Sequence, residues 1–485
     1  MAVLASSRSW LRCSPPRARS RSAWPTLPAR RRRRRRPVAR ERVRLGGNYR
    51  KLYLATAASN IGDGMAAIAY PWLATAITRN PVLVALVAAA QRLPWLLFTL
   101  PAGVITDRVD RKRAMVLMDV LRFGFTLLIA FAVLAEQGTL PAPDDVRNIV
   151  GTRTGLYLLL LLATLLLGSA EVLRDNCGQT FMPSIVAPEH LERANGRMWS
   201  IESVANTFIG PPIGSLLLLA AFSVPFFVDA TSFFVAAALV ALIPGSFRAE
   251  HPERAADAPA ASWRTDLKEG VRWLWGNHLL RSMAIILGLM NLASNVSGAM
   301  FVLFAQDVLR VTPLTFTVMG FGFAVGAIVG GYAAPWLSRT LGSGTCLALT
   351  LGSASVIGVL VGLSSWWPLT AVLFAVGTLL GSTWNVITVS LRQTIIPPHL
   401  LGRVNSVYRF FAWGMMPIGA LLGGLVVLVA GRFVSHSMAL RCVWFVDAAI
   451  HFLLFLVGRR LLTTERLEAA RSAGIAGAPL VVDVR

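Results

Sequence analysis

Twelve apolar runs constrain this chain more than any other feature of its sequence. They begin after Tyr49 and fall at roughly 51–77, 82–106, 114–135, 154–176, 197–221, 223–245, 279–305, 314–338, 345–366, 368–391, 404–430 and 438–458. A helix needs about 20 apolar residues to cross a bilayer, and each run is long enough to do so. Composition agrees: the 485 residues are 55% hydrophobic and only 15% charged, with a mean hydropathy of +0.60. That excludes an ordinary soluble enzyme and predicts a polytopic, all-α membrane protein of twelve transmembrane helices.

An even number of spans puts both termini on one side. The basic connections, carrying Arg108–Arg113, Arg193 and Arg197, Arg248–Arg272, Arg392 and Arg403, and the tail from Arg459, all fall on that side. The connections on the other side are generally shorter or less basic. The exception is Glu136–Arg153, which has two arginines but three acids. Positive loops stay in the cytoplasm, so both termini are expected there, at a cell membrane. The net charge of +23 does not point to nucleic acid, because fifteen arginines and one acid, Glu41, fall within residues 1–47. That segment, with seven consecutive arginines at Arg30–Arg36, cannot bury a core and is expected to be disordered. It reads as a tail touching anionic lipid, a transit peptide, or translation from an upstream start codon. Cys13, Cys177, Cys346 and Cys442 form no close-spaced set, so no disulfide framework or metal site is expected.

The spans repeat as two sets of six. Ser59-Asn60-Ile61-Gly62-Asp63-Gly64-Met65 returns as Ser294-Asn295-Val296-Ser297-Gly298-Ala299-Met300. Gln179-Thr180-Phe181-Met182-Pro183 returns as Gln393-Thr394-Ile395-Ile396-Pro397, and Leu191-Glu192-Arg193-Ala194-Asn195 as Leu401-Gly402-Arg403-Val404-Asn405. Pro212-Ile213-Gly214 returns as Pro417-Ile418-Gly419, and Phe227-Val228-Asp229-Ala230 as Phe445-Val446-Asp447-Ala448. Matches in one order through both halves predict two pseudo-symmetric six-helix bundles at 48–246 and 279–460, joined by a cytoplasmic linker over 247–278 and followed by a tail over 461–485. A transporter built this way binds near the midplane, between its repeats.

Between spans two and three lies Gly103-Val104-Ile105-Thr106-Asp107-Arg108-Val109-Asp110-Arg111-Lys112-Arg113, with six charges in its last seven residues. Gly103 permits close backbone approach, and Asp107 can face a helix N-terminus or pair with its basic neighbours. The spacing resembles the loop between helices 2 and 3 of the major facilitator superfamily, Gly-x-x-x-Asp-Arg-x-x-Arg-Lys-Arg. Asp110 departs from the general pattern, which has a second glycine there, and is similar to the drug-exporter branch. The Pro-x-x-Leu-x-Arg-x-Asn run and the Pro-Ile-Gly helix after it also resemble the twelve-helix drug:proton antiporters, which include macrolide-efflux and siderophore-export proteins. The resemblance covers about 48–460. It implies proton-driven efflux of small amphiphilic compounds of drug, antibiotic or siderophore type, by alternating access. It also implies a monomer embedded in lipid, with a small-molecule substrate and no cofactor beyond the proton gradient. In that comparison Asp107 faces the start of span eleven.

Several residues are candidates for chemistry. Asp63 and Arg92 lie roughly 18–20 Å deep by helix rise and are expected to pair as the proton-coupling site. The alternative is a static pair bracing spans one and two. Glu202 and Asp229 are further coupling candidates, although Asp229, like Asp447 in the other half, reads first as a residue that caps or staples a helix near the outer end of its span. His451, one turn after Asp447, can pair with it. Asp119 and Arg122 share one helix face and, with Glu171, Arg174, Asp175 and Arg403, read as a cytoplasmic gate. Asn60, Asn291, Asn295, Trp384 and Asn385 can line a substrate cavity, or the asparagines can join helices by hydrogen bonds. Gly322, Gly326 and Gly330 read as a helix-packing stripe. No lysine is followed by Ser or Thr, so no phosphate-binding loop is present. No nucleophile–base pair or metal-ligand spacing suggests an enzyme. A transport-inactive sensor or scaffold on the same fold is the remaining alternative.

Overall fold

A computed structural model describes residues 45–147, 149–248, 263–397 and 400–475. The Arg-rich segment up to residue 44, the Ala/Pro-rich part of the linker and the last ten residues lie outside these. The described chain is helical, with only two isolated bridge contacts between extended residues. The first half comprises α1 (Gly47–Ile77), α2 (Pro81–Arg108), α3 (Arg111–Glu136), α4 (Thr154–Phe181), α5 (Leu191–Ser203) continued by α6 (Gly210–Ala220), and α7 (Ser223–Ala241). The linker contributes α8 (Trp263–Gly276). The second half comprises α9 (His278–Asp307), α10 (Pro313–Leu341), α11 (Ser343–Leu363), α12 (Trp367–Ile395), α13 (Leu401–Ala430) and α14 (His436–Leu461), with α15 (Thr464–Ile475) after it. Eleven of the spans are long and apolar enough to cross a membrane. The twelfth, α1, is 31 residues long but carries Asn60 and Asp63.

The fifth span is not one regular helix. Between α5 and α6 the residues Val204–Ile209 form a π-helical turn. Pro211 and Pro212 have no N–H to donate, so the carbonyls they would have satisfied are released and the ladder widens. The widened turn meets α1 at a glycine. A Cβ on Gly64 would stand 2.7 Å from the Asn206 carbonyl oxygen and 2.9 Å from the Gly210 Cα. The two backbones therefore touch one residue from Asp63.

The repeat is present in the packing. Gly214 of the first Pro-Ile-Gly run lies on Met65 of α1, and Gly419 of the second lies on Leu292 of α9. Asp229 reaches α1 at Gly62, and Asp447 reaches α9 at Ser297, the position that matches Gly62. The glycine stripe is also helix packing: Gly322, Gly326 and Gly330 of α10 sit on the carbonyl oxygens of Ala371, Ala375 and Leu379 of α12, a four-residue register on both helices.

The apolar core shows how the halves meet. On the face opposite the termini, one continuous cluster takes Trp72, Val84 and Leu218 from the first half and Leu303, Phe304 and Leu440 from the second. Toward the face that carries the described termini the core divides. One cluster there belongs to the first half, around Tyr49, Phe181 and Met198. The other belongs to the second half, around Trp384, Val404 and Tyr408. Large apolar side chains such as Leu117, Leu128, Phe131, Val325 and Leu453 are exposed around the bundle. In water this surface would be a liability, and in a bilayer it is the lipid contact.

Candidate functional site

Asp63 lies on the face of α1 that also carries Ser59, Ala66, Ala67 and Tyr70, at the helical spacings of three, four and seven. Its partner is Arg122 of α3, not Arg92 as the depth count suggested: Arg122 Nη2 donates to Asp63 Oδ1. Ser59 Oγ completes the contact, 3.4 Å from Asp63 Oδ2 and 3.3 Å from Arg122 Nη1. The guanidinium also stacks on the Phe233 ring of α7, 3.9 Å from its centroid. Arg122 and Asp119 lie 3.9 Å apart on their shared face, and Asp119 stands 3.5 Å from Arg174 Nε of α4. Arg174 in turn reaches Asp175 at 3.6 Å. Of the expected gate residues, Asp119, Arg122, Arg174 and Asp175 thus form one chain of charges with Asp63, and Asp119 is wholly buried, whereas Arg403 is not part of it.

Asp229 joins this layer and does not cap a helix end. Gly62 makes that possible, because a Cβ there would collide with the Asp229 carboxylate and with Ser232. Asp63, Arg92, Arg122, Glu171 and Asp229 line one cavity of about 220 Å³. A second cavity of about 250 Å³ lies between the halves, with Val84 and Val87 on one side and Asn295, Gly298, Phe301 and Phe316 on the other. The two share Ala67, Gln91 and Arg92. Arg92 is exposed on this common wall and makes no ion pair with a described residue. One cavity is thus ionic and the adjoining one apolar and aromatic, which suits a molecule with a polar end and a greasy body.

Other expected residues are placed differently. Asn291 donates to the Ala412 carbonyl at 2.7 Å, joining α9 to α13, and Asn60 donates to Thr56 in its own helix at 3.0 Å. Asn295 reaches the second cavity. Trp384 lines neither of these two cavities: it is 1% exposed inside the second half's core, while Asn385 is exposed. Glu202 of α5 lies outside the linings of these two cavities, within electrostatic reach of Asp175 and Arg174. His451 Nδ1 meets Asp447 Oδ1 at 2.7 Å, as the one-turn spacing predicted.

The charged turn is a structural junction. Gly103 and Asp107 occupy the last turns of α2, and the side chain of Asp107 lies outside the described set, as does its expected contact with the start of α13. Arg111 donates to the Thr180 carbonyl at 3.1 Å and holds the end of α4. Arg108 and Arg113 are exposed, and Lys112 is half-buried. Arg403 binds Glu269 of the linker helix α8. Asp110 accepts the Arg113 N–H at 3.0 Å as the cap of α3, and also the Ser246 hydroxyl at 2.6 Å and the Phe247 N–H at 2.9 Å. The acid that replaces the usual glycine thus ties the start of the linker to the turn. Partial burial pushes its pKa up, but these three bonds outweigh it and hold the carboxyl below its ordinary range. A lowered value means a tie that is complete above the ordinary carboxylate pKa, constant from neutral pH down to about 5, and lost only in stronger acid. Asp110→Ala is expected to cost about 1 kcal/mol locally. Amide exchange at Phe247 and Arg113 should then quicken roughly five- to tenfold; unchanged protection would show that the tie contributes nothing.

Comparison with known proteins agrees with this geometry. Residues 52–420 match the family model of the Major Facilitator Superfamily. The multidrug efflux pump Tap of Mycobacterium tuberculosis is 28% identical over 404 residues, covering 81% of this chain and 90% of Tap. The enterobactin exporter EntS of Shigella boydii is 27% identical over 391 residues, covering 78% and 85%. Among solved structures, a mutant of the nucleoside transporter NupG superposes with a TM-score of 0.65 at 11% identity, over 86% of this chain and all of that one. A bacterial homologue of the iron transporter ferroportin in an inward-facing state gives 0.63 at 16% identity, over 86% and 98%. Those structures share the fold, and the family match extends over most of the sequence. The chain belongs to the Major Facilitator Superfamily of membrane transporters.

Proposed function

We propose that the chain exports small amphiphilic compounds from the cytoplasm in exchange for protons, as a monomer with both termini cytoplasmic. One observation carries the coupling. The polar layer holds five carboxylates (Asp63, Asp119, Glu171, Asp175 and Asp229) against three guanidiniums (Arg92, Arg122 and Arg174). Uncompensated charge inside a membrane protein is expensive, so two bound protons, or one proton and a cationic substrate group, would relieve the surplus. Proton occupancy and substrate occupancy of one cavity are then linked, and each shifts the balance between the two facing states. The orientation rests on the basic loops of the terminal face. Export and substrate type rest on kinship with Tap and EntS, named as an efflux pump and an exporter.

Purified protein in liposomes with an imposed pH gradient tests this. Fluorescent amphiphiles, ethidium among them, should accumulate against their own gradient when the pH gradient opposes it, and dissipating the protons should stop them. Accumulation that ignores the pH gradient would remove proton coupling from the reading; no movement of any amphiphile would favour a sensor or scaffold.

A further inference from the structure

On the face opposite the termini, the two halves are tied by one ion pair that the polar layer does not involve. Arg79, in the turn between α1 and α2, binds both carboxylate oxygens of Asp307, the last residue of α9. It also donates to Gln306 Oε1 at 2.7 Å, and Gln306 Nε2 donates back to Thr75 Oγ1 at 2.9 Å. Both charged side chains are largely buried, at 14% and 12% exposure. Each is rigidly mounted. The turn of Arg79 is pinned where Thr78 and Thr152 hydroxyls meet at 2.7 Å and the Arg153 N–H binds the Ile77 carbonyl. After Asp307 the chain turns sharply, with the Val311 N–H on the Ala305 carbonyl and Arg310 in the left-handed region at φ 54°.

A carboxylate at a helix C-terminus faces the negative end of the dipole, so Asp307 is disfavoured where it stands unless cations surround it. Two groups do. Arg79 belongs to the first half, whereas His436, whose Nε2 lies 2.9 Å from Asp307 Oδ2, begins α14 and moves with Asp307 in the second. When the halves part on this face, Arg79 leaves and His436 stays.

We propose that Asp307 is the latch of the opposite-face gate, held shut by Arg79 and passed to His436 when the gate opens. Arg79 sets the closed state. His436 keeps the acid partnered in the open one, so that opening does not strand an unpaired charge. The three are positioning residues for alternating access, and their action needs no particular substrate.

Spin labels at Val150 and Phe433, exposed residues of the two halves on this face, report the gap directly in purified, substrate-free protein with its native cysteines replaced. The closed distance should dominate. Arg79→Gln and Asp307→Asn should each raise the open-to-closed ratio about tenfold. The charge swap Arg79→Asp with Asp307→Arg should restore the closed distance, and Arg79→Lys should restore it in part. His436→Ala should shift the balance the other way and slow turnover without changing the apparent substrate affinity. Distances unmoved by both single variants would overturn the latch. So would a swap that stays open, because the effect would then not be the charge pair. Size-exclusion profiles separate misfolding from opening, and failure of the proton-coupling test above leaves these distances unaffected.

Discussion

Asp63→Asn protein should fold, bind substrate and exchange it across a membrane, yet fail completely to concentrate it. Asparagine keeps the shape of the side chain and an oxygen for the Arg122 guanidinium, and turns its NH2 toward the Ser59 hydroxyl, which can accept from it. The side chain therefore still fits its place on α1, while the group that can lose and regain a proton is gone. If Asp63 is one of the groups that takes up a proton, its protonation weakens its hold on Arg122 and lets the halves rock. An amide mimics the protonated carboxyl permanently, so substrate can still move down its own gradient but proton flow no longer drives it. In liposomes with an imposed pH gradient, the accumulation ratio should fall to unity while counterflow exchange survives. The rival idea, a static brace, predicts the reverse: a lower melting midpoint with coupling intact. Uphill accumulation by the Asn variant would show that Asp63 is not the coupling residue.

The architecture was legible because membrane helices announce themselves by length and apolarity, and because two halves of similar sequence must pack alike. Pro212-Ile213-Gly214 and Pro417-Ile418-Gly419 each lie on the first helix of their own half, and Asp229 and Asp447 take matching places. The site was legible in its membership but not in its pairing. Counting residues along a helix gives depth, and depth made Asp63 and Arg92 partners. It gives no azimuth, and the face of α1 that bears Asp63 turns toward α3 and α7. The same count puts Arg122, eleven residues into α3, roughly 16 Å deep, so it was an available partner that its proximity to Asp119 obscured. Asp229 was misplaced for a different reason: its position depends on Gly62, whose importance lies in what it lacks. The π-helical turn had a signal in Pro211-Pro212, since two adjacent residues without N–H groups cannot sustain an α ladder. The linker helix α8 is short and its docking on Arg403 is tertiary, so local sequence gave little warning.

Arg122 carries more of the layer than any other residue, and its neutralisation should be the most damaging change in the first half. It binds Asp63, faces Asp119 and stacks on Phe233 while only 3% exposed. Arg122→Gln removes the cation but leaves the acids, and breaking a buried pair from one side typically costs about 3–5 kcal/mol. Against a total stability of about 5–15 kcal/mol, that is enough to deplete folded protein. The expected result is a large fall in melting midpoint and yield, with no measurable transport. Adding Asp63→Asn removes the carboxylate most dependent on Arg122 and should recover part of the stability, because the double variant is short of one charge of each sign. Asp119 retains Arg174 in both proteins, so recovery stays incomplete. Arg122→Lys keeps the charge but loses the planar stack and the forked donor, and should fall between wild type and the Gln variant. Transport should not return with stability: a folded double variant has neither the group that takes the proton nor the one that senses it. A melting midpoint for Arg122→Gln equal to wild type would mean the layer is hydrated enough that pairing is incidental. The surplus of acids would then cost too little to couple protons to anything.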